Sequence, residues 1–260
     1  MRLVKRNLIL LGSSLVLLLL WQLGASLLDS QILLPGLLPV FSTLLELIEQ
    51  PPFTINVWYT VLRALQSFII IVISATLLGL LAGRFSFVSL ALKPFVTTLK
   101  AIPVMSVILL AFIWFSSGTV PLFSAFLMGF PVMYVQIEMG VLQIDANLDE
   151  MCSLYDFPLQ DRLFHFLIPS LVPSFLTGAR TALSMVWKVV IAAEVLTVPR
   201  YGVGSRMQLS QIQLETDKVL SWTLIAILLT ALGDILFEVL VFFLAKLKQL
   251  HDSRRVPCVS

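Results

Sequence analysis

The sequence predicts an all-α membrane protein, and three observations carry that prediction. Hydrophobic residues make up 58% of the 260 positions and only 12% are charged, against about a quarter in a soluble domain. The mean hydropathy is +0.99. The apolar residues fall in continuous runs rather than in alternation, which disfavours a β-barrel. A run of about 20 apolar residues spans a bilayer as helix. The length therefore accommodates five or six spans with short connectors, as one transmembrane domain over 1–260.

The first apolar run follows Arg2, Lys5 and Arg6, an order shared with signal peptides. It is long enough to span and lacks a convincing small-x-small cleavage site, so an uncleaved first span at about 7–28 is expected. The core spans occupy about 59–245, at roughly 59–83, 88–115, 119–143, 174–198 and 219–245. Lys93-Pro94 and Ile102-Pro103 interrupt the third. An interfacial segment followed by a shorter or kinked membrane helix is expected there.

Basic residues set the direction of threading. With the N-terminus inside, the cytoplasmic segments hold Arg2, Lys5, Arg6, Arg84, Lys93, Arg162, Lys246, Lys248, Arg254 and Arg255. The outer segments hold Arg200, Arg206 and Lys218, and the first outer loop, Asp29 to Val57, has neither Lys nor Arg. Both termini are therefore expected in the cytoplasm. Cys152 and Cys258 fall on that side, where thiols stay reduced, and share no metal-ligand spacing. They read as packing or surface residues. His165 and His251 are distant in sequence, so no metal site is expected. No catalytic pattern such as Gly-x-Ser-x-Gly occurs.

One polar break, 147–169, separates two long apolar runs. Asn147 is a good N-cap, with Glu150 three residues later as in a capping box. Asp149 and Glu150 suit the positive end of a helix dipole. Leu148, Met151, Cys152, Tyr155 and Leu159 fall near one helical face. Pro158 turns Phe157 away from helical geometry and suits the start of a second helix. The pattern is helix, sharp turn, helix, then a stop at Ile168-Pro169. On the residues alone, two readings stand: a helix that docks a protein partner, or an amphipathic helix lying on lipid. The break carries only Arg162 against Asp149, Glu150, Asp156 and Asp161, whereas lipid-surface helices are usually rich in Lys and Arg.

The spacing of this break resembles the EAA motif in permease subunits of bacterial ABC importers. That motif runs Glu-Ala-Ala, three residues, Gly, nine residues, Ile, one residue, Leu-Pro. Here it reads Glu150-Met151-Cys152, three residues, Asp156, nine residues, Phe166, Leu167, Ile168-Pro169. Apolar Met and Cys replace the alanines. Asp156 replaces the turn glycine and is among the residues that best tolerate left-handed geometry.

Other segments in the same order resemble the nitrate, sulfonate and taurine permeases of that family. They are Leu33-Leu34-Pro35 to Glu46-Leu47, Thr60-Val61-Leu62-Arg63 followed by Gly79 and Gly83, and Ile102-Pro103. Trp114-Phe115 with Gly118 follows, with Ser116 in place of a glycine, then Phe130-Pro131-Val132 and Trp187 to Glu194.

The resemblance implies a type I ABC importer permease fold with about six transmembrane helices in the bacterial inner membrane. It implies a permease homodimer with two copies of an ABC ATPase beneath it. A periplasmic or lipid-anchored substrate-binding protein would deliver cargo. The 147–169 segment would be the coupling helix, with Leu148, Glu150, Met151, Cys152, Tyr155, Asp156 and Leu159 docking the ATPase. ATP and Mg would be used by that partner; this chain has no Gly-x-x-x-x-Gly-Lys-Ser/Thr loop and is not its own ATP engine by that route. No cofactor bound by this chain, no catalytic residue and no nucleic acid are implied; membrane lipid surrounds it.

Ionisable residues at membrane depth are costly and mark candidate functional sites. Arg180, Ser184, Lys188 and Glu194 all lie on the fifth span, and the first three, four residues apart, share a face. They are the candidate translocation pathway. Lys188 either lines that pathway, attracting an anionic or carbonyl-rich cargo, or pairs with Glu194, Glu138 or a dimer mate. Glu194 is expected to hold helices together near the outer end. Asp234 and Glu238, one turn apart on the last span, are expected to meet a basic group or a polar seam. A proton-coupled carrier working through Glu138, Asp234 or Glu238 is the alternative function, and an intramembrane enzyme a weaker third.

Overall fold

The computed structural model describes residues 2–28, 30, 32–144, 158, 160 and 166–253. Among these residues the chain is helical throughout, without strands. The helices are α1 (Arg2–Leu28), α2 (Leu37–Glu49), α3 (Pro52–Arg84), α4 (Ser86–Ala101), α5 (Val104–Trp114), α6 (Val120–Leu142), α7 (Ile168–Thr197), α8 (Val203–Ile212) and α9 (Thr216–Ser253). Helices α3, α6 and the Thr216–Phe243 part of α9 are long and apolar enough to cross a membrane. The α4–α5 pair qualifies as a fourth if taken as one broken span. Helix α7, at 30 residues, has the length, but Arg180, Lys188, Glu194 and several Ser and Thr residues make it more polar. The described apolar part of α1, Leu15–Leu28, is shorter.

The break within the third expected span lies at one proline, not at two. Ile102 and Pro103 are extended (ψ 129 and 134), and α4 and α5 bend by 103° across them. A proline pushes its predecessor out of helical geometry and donates no backbone hydrogen bond. Pro94, expected to interrupt as well, sits inside an unbroken α4. One missing bond is tolerated there because neighbouring turns are anchored by Val96 and Leu99, both buried in the core.

The chain divides into two compact units: Met1–Thr60 with Glu194–Ile227, and Val61–Ala193 with Leu228–Ser260. In the first, α1 holds the connector to α2 by two hydrogen bonds. Trp21 Nε1 donates to Pro35 O at 3.1 Å and Leu37 N donates to Gln22 Oε1 at 3.1 Å. Helix α2 arises inside the segment read from sequence as an outer loop. Its buried residues, Val40, Thr43, Leu44 and Leu47, recur at helical spacing. Ser221 Oγ donates to Val40 O at 2.9 Å and Thr43 Oγ1 to Asp217 Oδ2 at 2.9 Å, fixing α2 to the start of α9. Pro51 and Pro52 end α2 and open α3, where a proline's missing N–H costs nothing.

In the second unit the core gathers Ile71 and Ala75 of α3, Met133, Tyr134 and Ile137 of α6, and Ala182, Val186 and Val190 of α7. Helix α6 is the most enclosed candidate span, with 61% of its apolar window buried against 11% for α9. Close approach of α3 to α6 depends on small residues, as membrane helix packing generally does. A Cβ on Gly79 would stand 2.8 Å from the Ile137 side chain, and one on Gly83 would collide with Val141.

Candidate functional site

Helix α7 carries two polar assemblies of different character. In the second unit, Arg180, Ser184 and Lys188 follow one another at four-residue intervals, facing Asp234 and Glu238 of α9, also four apart. Ser184 Oγ lies 2.9 Å from Asp234 Oδ1 and 3.1 Å from Oδ2, and donates to that carboxylate. Arg180 Nη2 forms an ion pair with Glu238 Oε1, with both side chains more than half exposed. The order of partners, 180 with 238 and 184 with 234, makes the seam antiparallel. A cavity of about 440 Å³ opens beside it, lined by Arg180, Glu238, Phe237 and Phe242.

Lys188 continues this face. It is exposed and makes no ion pair or hydrogen bond among the described residues. The carboxylates considered as its partners are engaged elsewhere. Glu138 Oε1 accepts from Ser89 Oγ at 2.6 Å, and Glu194 belongs to the second assembly. The seam thus holds the Arg180–Glu238 ion pair, the Asp234 carboxylate bonded by the neutral Ser184, and Lys188 as an exposed cation without an ion pair among the described residues.

The second assembly, in the first unit, surrounds the Glu194 carboxylate, which is 0% exposed. Thr60 Oγ1 lies 2.8 Å from Oε2 and 3.0 Å from Oε1 and donates to the carboxylate. Gly204 N donates to Oε2 at 3.1 Å, and Val203 N donates to Thr60 Oγ1 at 2.9 Å. Both amides belong to the first turn of α8, so the carboxylate sits at a helix N-terminus, where backbone donors and the helix dipole favour negative charge. Asn56 Oδ1 accepts from Gly202 N at 3.0 Å and from Arg206 Nε at 3.2 Å. Gly202 is required by proximity: a Cβ there would lie 2.7 Å from Glu194 Cδ, and its φ of 159° disfavours side chains.

Glu194 was legible from the sequence as a residue that holds helices together, and the structure gives it that surrounding. Asn56 and Arg206, which bond to each other beside it, carry no such expectation from the sequence. The available signal was the Asn56-x-x-x-Thr60 spacing, which puts both polar groups on one face of an apolar helix. Three residues beyond Thr60, Arg63 serves the other unit, where its Nε donates to Gly118 O at 3.1 Å. Asp234 and Glu238 meet the polar seam and basic group expected of them. The docking residues Leu148, Glu150, Met151, Cys152, Tyr155, Asp156 and Leu159 lie outside the described residues. Among the described residues, no cluster of three or more His, Cys, Asp or Glu side chains is placed to hold a metal ion.

Comparison with known proteins agrees with this architecture. Residues 75–246 match the family described as binding-protein-dependent transport system inner membrane component. A Brucella melitensis protein named as an ABC transporter permease is 27% identical over 182 residues, 70% of this chain and 74% of that one. A Bacillus subtilis protein named as an aliphatic sulfonates transport permease is 25% identical over 241 residues, 92% of this chain and 87% of that one. The nitrate import permease protein of Synechococcus elongatus is 23% identical over 135 residues, 52% of this chain and 48% of that one.

Proposed function

Since this chain belongs to the binding-protein-dependent transport system inner membrane component family, we propose that it forms the translocation pathway of an ATP-driven importer for a small anionic solute. The observation that supports this most is the similarity to a sulfonate permease across 92% of the chain, joined to an exposed Lys188 that continues the polar face of Arg180 and Ser184. A cation at membrane depth is expensive unless it faces a cavity or a partner. In this reading Lys188 attracts the solute, Arg180 and Ser184 continue the track, and Glu194 keeps its outer end in shape.

The remaining parts follow the same reading. The chain lies in the inner membrane with both termini in the cytoplasm, by the placement of Lys and Arg. It pairs with a second copy, two ABC ATPase subunits bind beneath, and a substrate-binding protein delivers cargo from outside. The 147–169 segment is the coupling helix, with Glu150 and Asp156 meeting charged groups on the ATPase and Leu148, Met151, Cys152, Tyr155 and Leu159 filling its cleft. ATP-driven closure of the ATPases moves the docked helices and alternates access to the pathway. The proton-carrier alternative has less support, because Glu138, Asp234 and Glu238 are bonded to Ser89, Ser184 and Arg180.

Purification of the tagged chain from its native membranes tests the reading. An ATPase subunit should copurify, and uptake should stop on ATP depletion while the proton gradient is maintained. Glu150→Lys should release the ATPase. Uptake that persists without ATP and collapses with the proton gradient would favour the carrier instead.

A further inference from the structure

We infer that the first unit contains a second anion site, a pocket that holds the oxyanion head group of a small solute on Arg206. It deepens the permease reading by naming the cargo's recognised group and a place where that group first binds. The pocket is a cavity of about 200 Å³ lined by Asn56, Arg206, Gln213, Glu215, Lys218 and Trp222. It lies where α3 and α9 begin and α8 ends, at the ends of the membrane-crossing segments. Those ends face outward in the topology set by Lys and Arg.

The charges inside this pocket leave one cation over. Lys218 Nζ is paired with Glu215 Oε1 at 2.7 Å, so these two cancel. Arg206 has no carboxylate: Nε donates to Asn56 Oδ1 at 3.2 Å, and its terminal nitrogens make no hydrogen bond or ion pair among the described residues. Asn56 is itself buried, 1% exposed, and bonded through Nδ2 to Pro52 O at 2.5 Å and through Oδ1 to Gly202 N. The guanidinium is therefore aimed rather than free to swing, with its donor fork unused. Phe53 and Trp222, stacked at 5.9 Å, also line the cavity and lower the local dielectric.

A planar fork with no partner matches carboxylate, sulfonate and nitrate oxygens better than it matches any neutral group. The small volume limits the ligand to a head group with a few further atoms. Gln213, also in the lining, adds an amide donor for a second oxygen. A cationic ligand would meet an uncompensated charge of its own sign.

The test is direct binding, which requires no transport and so stands or falls separately from the permease reading. The full-length chain in lipid nanodiscs is titrated with trifluoroethanesulfonate, and the probe is followed by fluorine NMR. Saturable binding is expected, and Arg206→Gln should weaken it by roughly tenfold or more, the scale of one lost charge-assisted contact. Lys218→Gln should change it by about threefold at most, because that charge is already paired. Gln213→Glu covers the case in which the Arg206 variant misfolds: it leaves the Asn56 contact intact, offers the fork an internal carboxylate and should also abolish binding. Equal binding by the wild type and a folded Gln213→Glu variant overturns the inference, as does the absence of saturable binding to the wild type.

Discussion

Glu194 and Lys188 occupy the same helix, and from sequence both are costly charges inside an apolar span. The first is 0% exposed, with Thr60 and the opening turn of α8 donating to its carboxylate. The second is exposed and has no partner among the described residues. What separates them is the supply of complementary groups, donors for the carboxylate and acceptors for the ammonium. Glu194 is near the end of α7, where the Gly202 turn brings fresh helix amides back onto the carboxylate. Lys188 lies mid-helix, where backbone groups are already committed to α7 itself, and no acceptor among the described residues meets its ammonium. One charge is therefore built into the fold, and the other stands exposed with no partner among the described residues.

The comparison breaks first at Glu194. Glu194→Ala would leave the Gly204 amide buried without its acceptor and the Thr60 hydroxyl with only the longer 3.3 Å bond to Asn56 O, at about 1–3 kcal/mol for an orphaned buried group. A marked loss of thermal stability in detergent is expected, and a shift of only a degree or two would show that the carboxylate is not structural. Gly202→Ala should cost slightly less, on the order of 1–3 kcal/mol, as its Cβ displaces the carboxylate. The same melting assay reads it, and a wild-type transition would contradict the close approach.

Lys188→Met sharpens the other side. It should leave the melting transition in place while reducing ATP-dependent uptake by roughly tenfold or more, with Lys188→Arg retaining part of the activity. Loss of folding with no specific loss of uptake would move Lys188 to the structural class. The smallest effect is expected at the exposed Arg180–Glu238 pair. Replacing both by Gln should alter stability by less than about 1 kcal/mol, since exposed ion pairs contribute little; a larger change in the melting assay would mean the pair is enclosed by a further subunit.

Much of this architecture was readable from the chain because lipid imposes a simple rule: long apolar runs become helices. The spans at about 59–83 and 119–143 correspond to α3 and α6, and Pro103 breaks the third as its chemistry requires. The misses have local causes. Helix α2 falls in a segment whose lack of Lys and Arg marks it as an outer loop, while the Val40, Thr43, Leu44, Leu47 spacing is the helical signal within it. Pro94 does not break α4, because a proline breaks a helix reliably only when the residues around it are not held by burial. At the candidate site, the seam of Arg180, Ser184, Asp234 and Glu238 was legible from two four-residue spacings. The donors to Glu194 were not, because Thr60 and Gly204 reach it through tertiary structure that no local period encodes.

Cysteine accessibility tests the division of α7 most directly, and needs no knowledge of the cargo. In a chain with Cys152 and Cys258 replaced by Ser, single cysteines are placed at Lys188 and at Ala193, which is 0% exposed. An anionic, membrane-impermeant thiosulfonate is then applied to the assembled transporter. The Lys188→Cys variant should react at least roughly tenfold faster than Ala193→Cys, because thiol reactivity follows exposure, and its rate should change on adding ATP. Equal, slow reaction at both positions would contradict the assignment of Lys188 to an aqueous pathway.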